Sequence, residues 1–407
     1  MKFFKTNNLL PISLAVFTIC SVFFSEKLIP FLVGLILLLF FLEKQKKKNF
    51  LDYSKLLVPY ILYVSAFLMY TLVSNDLSQA LKLLERQVLV IVLPIIIFSS
   101  DITKERSIVF IKTYVFLILL TTIISVFKIG EFLIIHEEWI NVMNEKNGNF
   151  TYVQFKYPHL MGVHPTYWGY LLVLGNILLL NNKTLNIFKN TNLVKVLLVL
   201  FNINLFYLSA RTPIFINILL HSLSAFYFFN KKSRKELLVY MSVFFSICFV
   251  FLMQPLMFFK LSATIIDDRF FLWPKAFEII KNNYFILGEG LGAGNNILKD
   301  YIFEIYDTRS NYFGIDLHNQ YLKTYLDMGI LGFLTLIYVI IFPLVLSIRS
   351  KTNFIVNLSF SLLFLLCVVT ESALYTIKGI IIFTIFSSLL IKILMVSKQF
   401  IYTNTDG

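Results

Sequence analysis

The chain has 407 residues, of which 58% are hydrophobic and 14% charged, with a mean hydropathy of +0.77. Soluble domains lie nearer about 45–50% apolar and about 25% charged, so the composition excludes an ordinary soluble protein and points to one embedded in lipid. The formal net charge of +13 would suit a nucleic-acid binder, and it has to be tested against membrane topology first. Cys20, Cys248 and Cys367 all lie in apolar runs, which leaves no disulfide framework and no metal-type spacing.

A membrane-crossing helix needs about 20 mainly apolar residues, within a range of roughly 17–25. In chain order such stretches fall at 8–25, 28–42, 55–74, 87–100, 107–128, 159–180, 194–210, 213–229, 237–257, 329–347, 354–372 and 377–396. They predict an all-α, polytopic membrane protein of about twelve transmembrane helices. The count falls to about ten or eleven if the short second and fourth stretches are re-entrant. The first stretch has no small-residue cleavage site and runs through "SEK" into the next, so it reads as a retained helix and not a signal peptide.

Lysine and arginine set the orientation. With the N-terminus inside, the inner segments hold Lys44, Lys46, Lys47, Lys48, Lys55, Lys104, Arg106, Lys183, Lys189 and Lys195. They also hold Lys231, Lys232, Arg234, Lys235, Arg349 and Lys351, whereas the short outer loops carry only Lys27, Lys82 and Arg86. The basic excess is thus mainly a topology signal, and no nucleic-acid partner is expected. Both termini lie inside, and the chain reads as one integral-membrane domain over 1–407. Two segments break the run of short connections, 129–158 and 258–328, and both fall on the outer face. Long loops of this kind are usually functional.

The larger loop, between the ninth and tenth spans, has three pieces. "IIDDRFFLWPKAFEIIKNN" spaces Phe270, Trp273, Phe277 and Ile280 helically, with Lys275, Glu278 and Lys281 off that stripe. It predicts an amphipathic helix on the membrane surface, with Trp273 as an interfacial anchor. "GEGLGAGN" alternates glycines at 288, 290, 292 and 294. A dinucleotide site would need a strand before it and a helix after it in a βαβ unit, so a turn is the better reading. "GIDLHNQYLKTYLDMGILGF" puts Tyr321, Leu322, Tyr325 and Met328 on one helical face, with Gln320, Lys323, Thr324 and Asp327 off it. Asn319, or Asp316 before it, suits the N-cap, and Gly329 with Gly332 permits a bend before the span. On an unbroken helix His318 and Asp327 would stand about 14 Å apart along the axis and on opposite faces. A partner for His318 must therefore come from elsewhere in the fold.

Other polar residues stand at unusual depth. Arg211, in "LSARTPIF", lies between two spans at their outer ends, where an arginine is either functional or snorkelling from a tight turn. Arg86 ends an amphipathic segment and is either a ligand or a surface anchor. His164 opens a span in "HPTYWGYLL", as a buried structural histidine or a functional one. Arg269 follows two acids, which makes an intraloop ion pair its plain reading. Glu371 closes a span in "TESAL" and is either solvated or part of a site.

These segments, "SART", "HPTYWGYLL", "RFFLWPKAF…GEGLGAG", "HNQYLKTYLDMGILG" and "TESAL", resemble the O-antigen ligase and polymerase superfamily in motif and order, over roughly 150–375. That superfamily comprises bacterial inner-membrane glycosyltransferases using polyprenyl-diphosphate-linked sugars. The N-terminal third matches only in hydropathy, and Thr212–Pro213 replace the glycine that often follows the embedded arginine. The resemblance implies an undecaprenyl-diphosphate-linked glycan donor and a lipid A-core or growing glycan as acceptor. It implies transfer on the periplasmic face of the inner membrane amid membrane lipid, without metal or cofactor and with inversion at the anomeric carbon. The departing diphosphate needs fixed positive charge, which suits Arg211, Arg269 and Arg86, with Asn319 in substrate binding. The attacking hydroxyl needs a base titrating near neutrality, which suits His318. Asp327, His164 and Glu371 fall in supporting positions. Ligase and polymerase share this donor chemistry and differ in acceptor. A polysaccharide transporter or flippase would instead concentrate polar residues near the midplane and show internal repeats, and neither is visible in the sequence.

Overall fold

The computed structural model describes residues 8–43, 53–135, 157–208, 210–229, 268–283, 286–294, 296–298 and 316–403. Among them every regular element is helical. In chain order the long helices are α1 (Leu9–Phe23), α2 (Ile29–Leu42), α3 (Val58–Leu72), α4 (Leu77–Ser99), α5 (Lys104–Ile135) and α6 (Pro165–Leu180). They continue with α7 (Thr191–Leu208), α8 (Arg211–Phe229), α9 (Asp268–Asn283), α10 (Gln320–Ser350), α11 (Phe354–Thr370) and α12 (Ile377–Thr403). A helix overlies each apolar stretch named above except 237–257, which lies outside the described residues together with the basic clusters at 44–48 and 231–235. Among the described residues five helical stretches, Ser54–Leu72, Lys104–Ile135, Thr191–Leu208, Gln320–Ser350 and Ile377–Met395, are long and apolar enough to cross a membrane.

Chain contacts gather into two compact units. The first holds Met1–Ile36, Thr103–Ile265 and Asn353–Leu363. Its central helix is α6, which packs against α1, α5, α7 and α8. Pro165 opens α6, where a missing N–H breaks no helical bond, and every residue from Tyr167 to Leu179 is buried. A helix apolar on all sides demands such surroundings. Small residues let its neighbours close in: a methyl group on Gly169 would lie 2.6 Å from Pro213 Cγ, and one on Gly175 would lie 2.9 Å from the Phe201 ring. Buried polar side chains tie the same helices together. Asn176 donates to Asn217 at 2.9 Å and Asn217 to Asn202 at 2.6 Å, while Tyr157 donates to Asn204 at 2.7 Å and Asn204 to Thr122 at 2.6 Å.

The second unit holds Leu37–Ile102, Ile266–Thr352 and Phe364–Gly407. Here α12 packs on α4, α3 on both α4 and α10, and α9 on the first turns of α10. Asp76 caps α4 by accepting from Gln79 N at 3.0 Å. The helix then runs unbroken past Arg86 to Ser99, so the expected surface segment and span are one element. Likewise α5 continues to Ile135, well into the expected 129–158 loop, of which 136–156 lies outside the described residues. At the far end of α4, the buried Lys392 of α12 donates to the carbonyls of Ile97 (2.7 Å), Phe98 (3.1 Å) and Ser100. A cation there satisfies orphan carbonyls at the negative end of the helix dipole.

Two expectations for the large loop are corrected. The buried stripe of α9 is Leu272, Ala276, Ile279 and Ile280, which packs with Leu298, Leu317 and Leu326. Phe277, expected on the stripe, is 63% exposed. Trp273 donates its Nε1–H to the carbonyl of Leu317 at 2.8 Å, so it is tied to the chain just before His318 instead of anchoring the helix alone. On α10 three of the four residues expected off the apolar face are buried, as is Met328 on that face, and Lys323 is partly so. Gln320, Thr324 and Asp327 are fully enclosed, while Tyr321, Leu322 and Tyr325 are only partly so. The physical reason is hydrogen bonding, for polar groups can be buried where partners meet them, and here two chain segments do.

Candidate active site

The first of these segments is the glycine run. Gly329 breaks α10 with φ 55 and ψ −156, freeing backbone groups that a straight helix would satisfy. Glu289 N donates to Leu326 O at 2.9 Å and Gly290 N to Asp327 O at 3.0 Å, and Ile330 N donates back to Ile286 O at 3.3 Å. On its other side the run meets the α3–α4 turn, with Leu291 N on Tyr70 O at 3.1 Å and Ser74 Oγ on Leu291 O at 2.9 Å. The alternating glycines are a seam where three backbones touch. A Cβ on Gly288 would strike the Asp327 backbone, and Gly290 carries φ +112 with Ser74 Cα 2.7 Å from where its Cβ would lie.

The second segment is the turn between α11 and α12. Glu371 closes α11, its N–H bonded to Cys367 O at 3.0 Å, and a 3-10 turn follows at Ala373–Tyr375. Gln320 accepts from Leu374 N at 2.7 Å, Gln87 donates to Leu374 O at 2.8 Å, and Arg86 donates to Tyr375 O at 3.3 Å. Tyr375 donates its hydroxyl to Asp327 Oδ2 at 3.0 Å, while Asp327 Oδ1 accepts from Gly294 N at 2.8 Å. Burial, then the Asp327 charge, push the Tyr375 phenol well above its ordinary range, so it remains a donor. Lys323 pairs with Asp316 at 3.2 Å and lies 5.1 Å over the Tyr375 ring.

Against this frame stands His318. Its Nδ1 lies 3.7 Å from Glu371 Oε2, with the imidazole 47% exposed and the carboxylate 15%. The imidazole is thereby open while the carboxylate beside it is sheltered. His318 takes φ 45, a left-handed conformation uncommon outside glycine though less so for histidine. Both flanks hold it there: Trp273 grips the Leu317 carbonyl, and Asn319 caps α10 by accepting from Leu322 N at 3.1 Å.

The structure thus brings His318, Asn319 and Glu371 together and places Arg86 on the turn that follows Glu371. Asp327 is nine residues from His318 and locked into the seam, consistent with the expectation that the two form no dyad. Arg269 stands in the first turn of α9, and its side chain lies outside the described residues. In the first unit Arg211 opens α8, and exposed His164 is the N-cap residue of α6 without a side-chain cap bond. The Gly169–Pro213 contact sets these two helix starts side by side. It also accounts for Pro213, which sits in the first helical turn, where proline is tolerated, and fills the space beside Gly169. Sequence reasoning singled out Glu371 without pairing it with His318, gave Gln320 no role and missed Gln87 and Tyr375. Gln87 and Gln320 sit beside charged and polar neighbours that set neither apart.

Residues 196–337 match the family model described as O-antigen ligase. No curated protein matches the chain. The matched stretch takes in Arg211, α9, the glycine seam and His318, and it ends within α10. Over about a third of its length the chain is thus similar to the O-antigen ligase family, which supports placing it with the O-antigen ligase and polymerase superfamily.

Proposed function

We propose that the protein is an O-antigen ligase-type glycosyltransferase. It moves a glycan from an undecaprenyl-diphosphate carrier to a sugar hydroxyl of a lipid A-core or similar acceptor, on the periplasmic face of the inner membrane. The observation that carries the chemistry is the pair of His318 and Glu371, 3.7 Å apart with the imidazole open and the carboxylate sheltered. With Nδ1 turned to Glu371, the neutral imidazole keeps Nε2 as the acceptor. The acceptor hydroxyl attacks the anomeric carbon and passes its proton to Nε2, while the bond from that carbon to the diphosphate oxygen breaks and the electron pair leaves with the diphosphate. Glu371 holds the ring and favours the imidazolium that forms, as a carboxylate does for a catalytic histidine. Arginine suits the diphosphate because its planar fork meets phosphate oxygens in pairs. Arg86, Arg211 and Arg269 take that role, and Asn319 contributes to substrate binding besides capping α10. His164 supports the helix start beside Arg211. A polymerase of the same superfamily would run this chemistry with a growing glycan as acceptor.

The test is His318→Ala, assayed with lipid-diphosphate-linked glycan and glycolipid acceptor. Turnover should fall by roughly 10²–10⁴-fold, the usual contribution of a general base, with donor binding retained. In the wild-type protein the rate should drop as the solution is acidified, because protonated imidazole accepts no proton. A folded variant with near-normal turnover would sink the assignment.

A further inference from the structure

Glu371 is fixed opposite His318 by side chains to which the sequence assigned no role. Upstream it is held by the end of α11, through its N–H on Cys367 O at 3.0 Å, and α11 is tied to α10 by Tyr321, which donates to Leu365 O at 2.9 Å. Downstream, Leu374 is gripped at both backbone groups, its N–H by Gln320 Oε1 at 2.7 Å and its carbonyl by Gln87 Nε2 at 2.8 Å. Gln320, Gln87 and Leu374 are all buried. Gln320 is two residues from His318, and the Asn319 cap fixes where its helix begins. One short stretch therefore carries the imidazole and also tethers the turn that carries its partner. Gln87 points the same way, because its Oε1 is buried with no hydrogen-bond partner among the described residues. An apolar side chain would avoid that cost, so the residue's use lies in its donor.

We propose that Gln320, with Gln87 as its counterpart from α4, is a positioning residue that holds Glu371 against His318 by clamping the backbone of Leu374. The inference rests on the reading of His318 as the base. Neither glutamine touches substrate, and both act through Glu371.

A double-mutant cycle tests this. Turnover and KM are measured in nanodiscs with undecaprenyl-diphosphate-linked oligosaccharide for wild type, Gln320→Met, Glu371→Gln and the double variant, with thermal unfolding as the folding control. Gln320→Met should lower kcat about 10- to 100-fold, as small misplacements of catalytic groups do, and leave KM nearly unchanged. In the Glu371→Gln background the same substitution should cost little more. Gln320→Glu keeps the acceptor for Leu374 N–H and should restore much of the lost turnover. Should Gln320→Met fail to fold, Gln87→Met removes the other half of the clamp and should show the same dependence on Glu371. An equal loss in both backgrounds, or no loss in a folded variant, overturns the proposal while leaving His318 as the base. Full turnover in His318→Ala overturns both.

Discussion

His318 occupies a backbone conformation that side chains seldom adopt, at φ 45. Such strain costs on the order of 1–3 kcal/mol and persists only where the surroundings fix it. Here the fixing contacts are an indole on the preceding carbonyl and an asparagine cap on the following turn. Arg211 is a different kind of residue, the opening position of α8 beside the start of α6. If its guanidinium holds a diphosphate, Arg211→Lys keeps the charge but loses the planar fork, so both Arg211→Lys and Arg211→Ala should impair transfer, lysine less severely. Glycan transfer per folded molecule checks this, and full activity in the alanine variant would reduce Arg211 to a snorkelling side chain. The residues that carry charge or a titratable ring were legible in the sequence because such groups are rare in an apolar chain. Their pairing was not: His318 and Glu371 belong to different spans, and helical spacing reports only neighbours along one helix.

Among the elements, the glycine seam shows most clearly how composition becomes geometry. Four alternating glycines were readable as a turn, and the missing strand argued against a nucleotide loop. What spacing could not reveal was the partner, a helix broken at Gly329 whose freed backbone groups the seam satisfies. For the same reason the sequence set Gln320 and Asp327 off the apolar face of α10 although both are buried, since only tertiary contact reveals that they have partners. Gly290→Ala should therefore be costly. Its φ of +112 is strained for alanine, and the new Cβ would meet Ser74, so a loss of roughly 1–3 kcal/mol is expected. Gly34→Ala in α2 is the control, for nothing lies within 4 Å of its Cβ. Thermal unfolding should fall by several degrees in the first variant and hold or rise in the second.

At the scale of the whole molecule, the second unit puts the proposed site and one group of basic residues at opposite ends. The α3–α4 turn, the glycine seam, the start of α10 and the α11–α12 turn meet at one end. Lys55, Arg349, Lys351 and Lys392 lie toward the other, where α3 and α12 have their distal ends and α10 finishes. The proposed periplasmic orientation rests on the positive-inside bias of the sequence, since Arg86 and Lys323 stand at the site's own end. A cysteine at exposed Asn296 should accordingly react with an impermeant thiol reagent in cells whose outer membrane alone is permeabilised, and labelling only after inner-membrane lysis would reverse the orientation. The break in α10 bears on how such a site is loaded. Kinks are often treated as hinges, yet both sides of this one are bonded to a single outside strip, through Leu326 and Asp327 before it and Ile330 after it. It is a braced elbow, stiff against bending, so under the proposed function the entry of a bulky lipid-borne substrate must draw its compliance from parts of the chain that share none of these bonds.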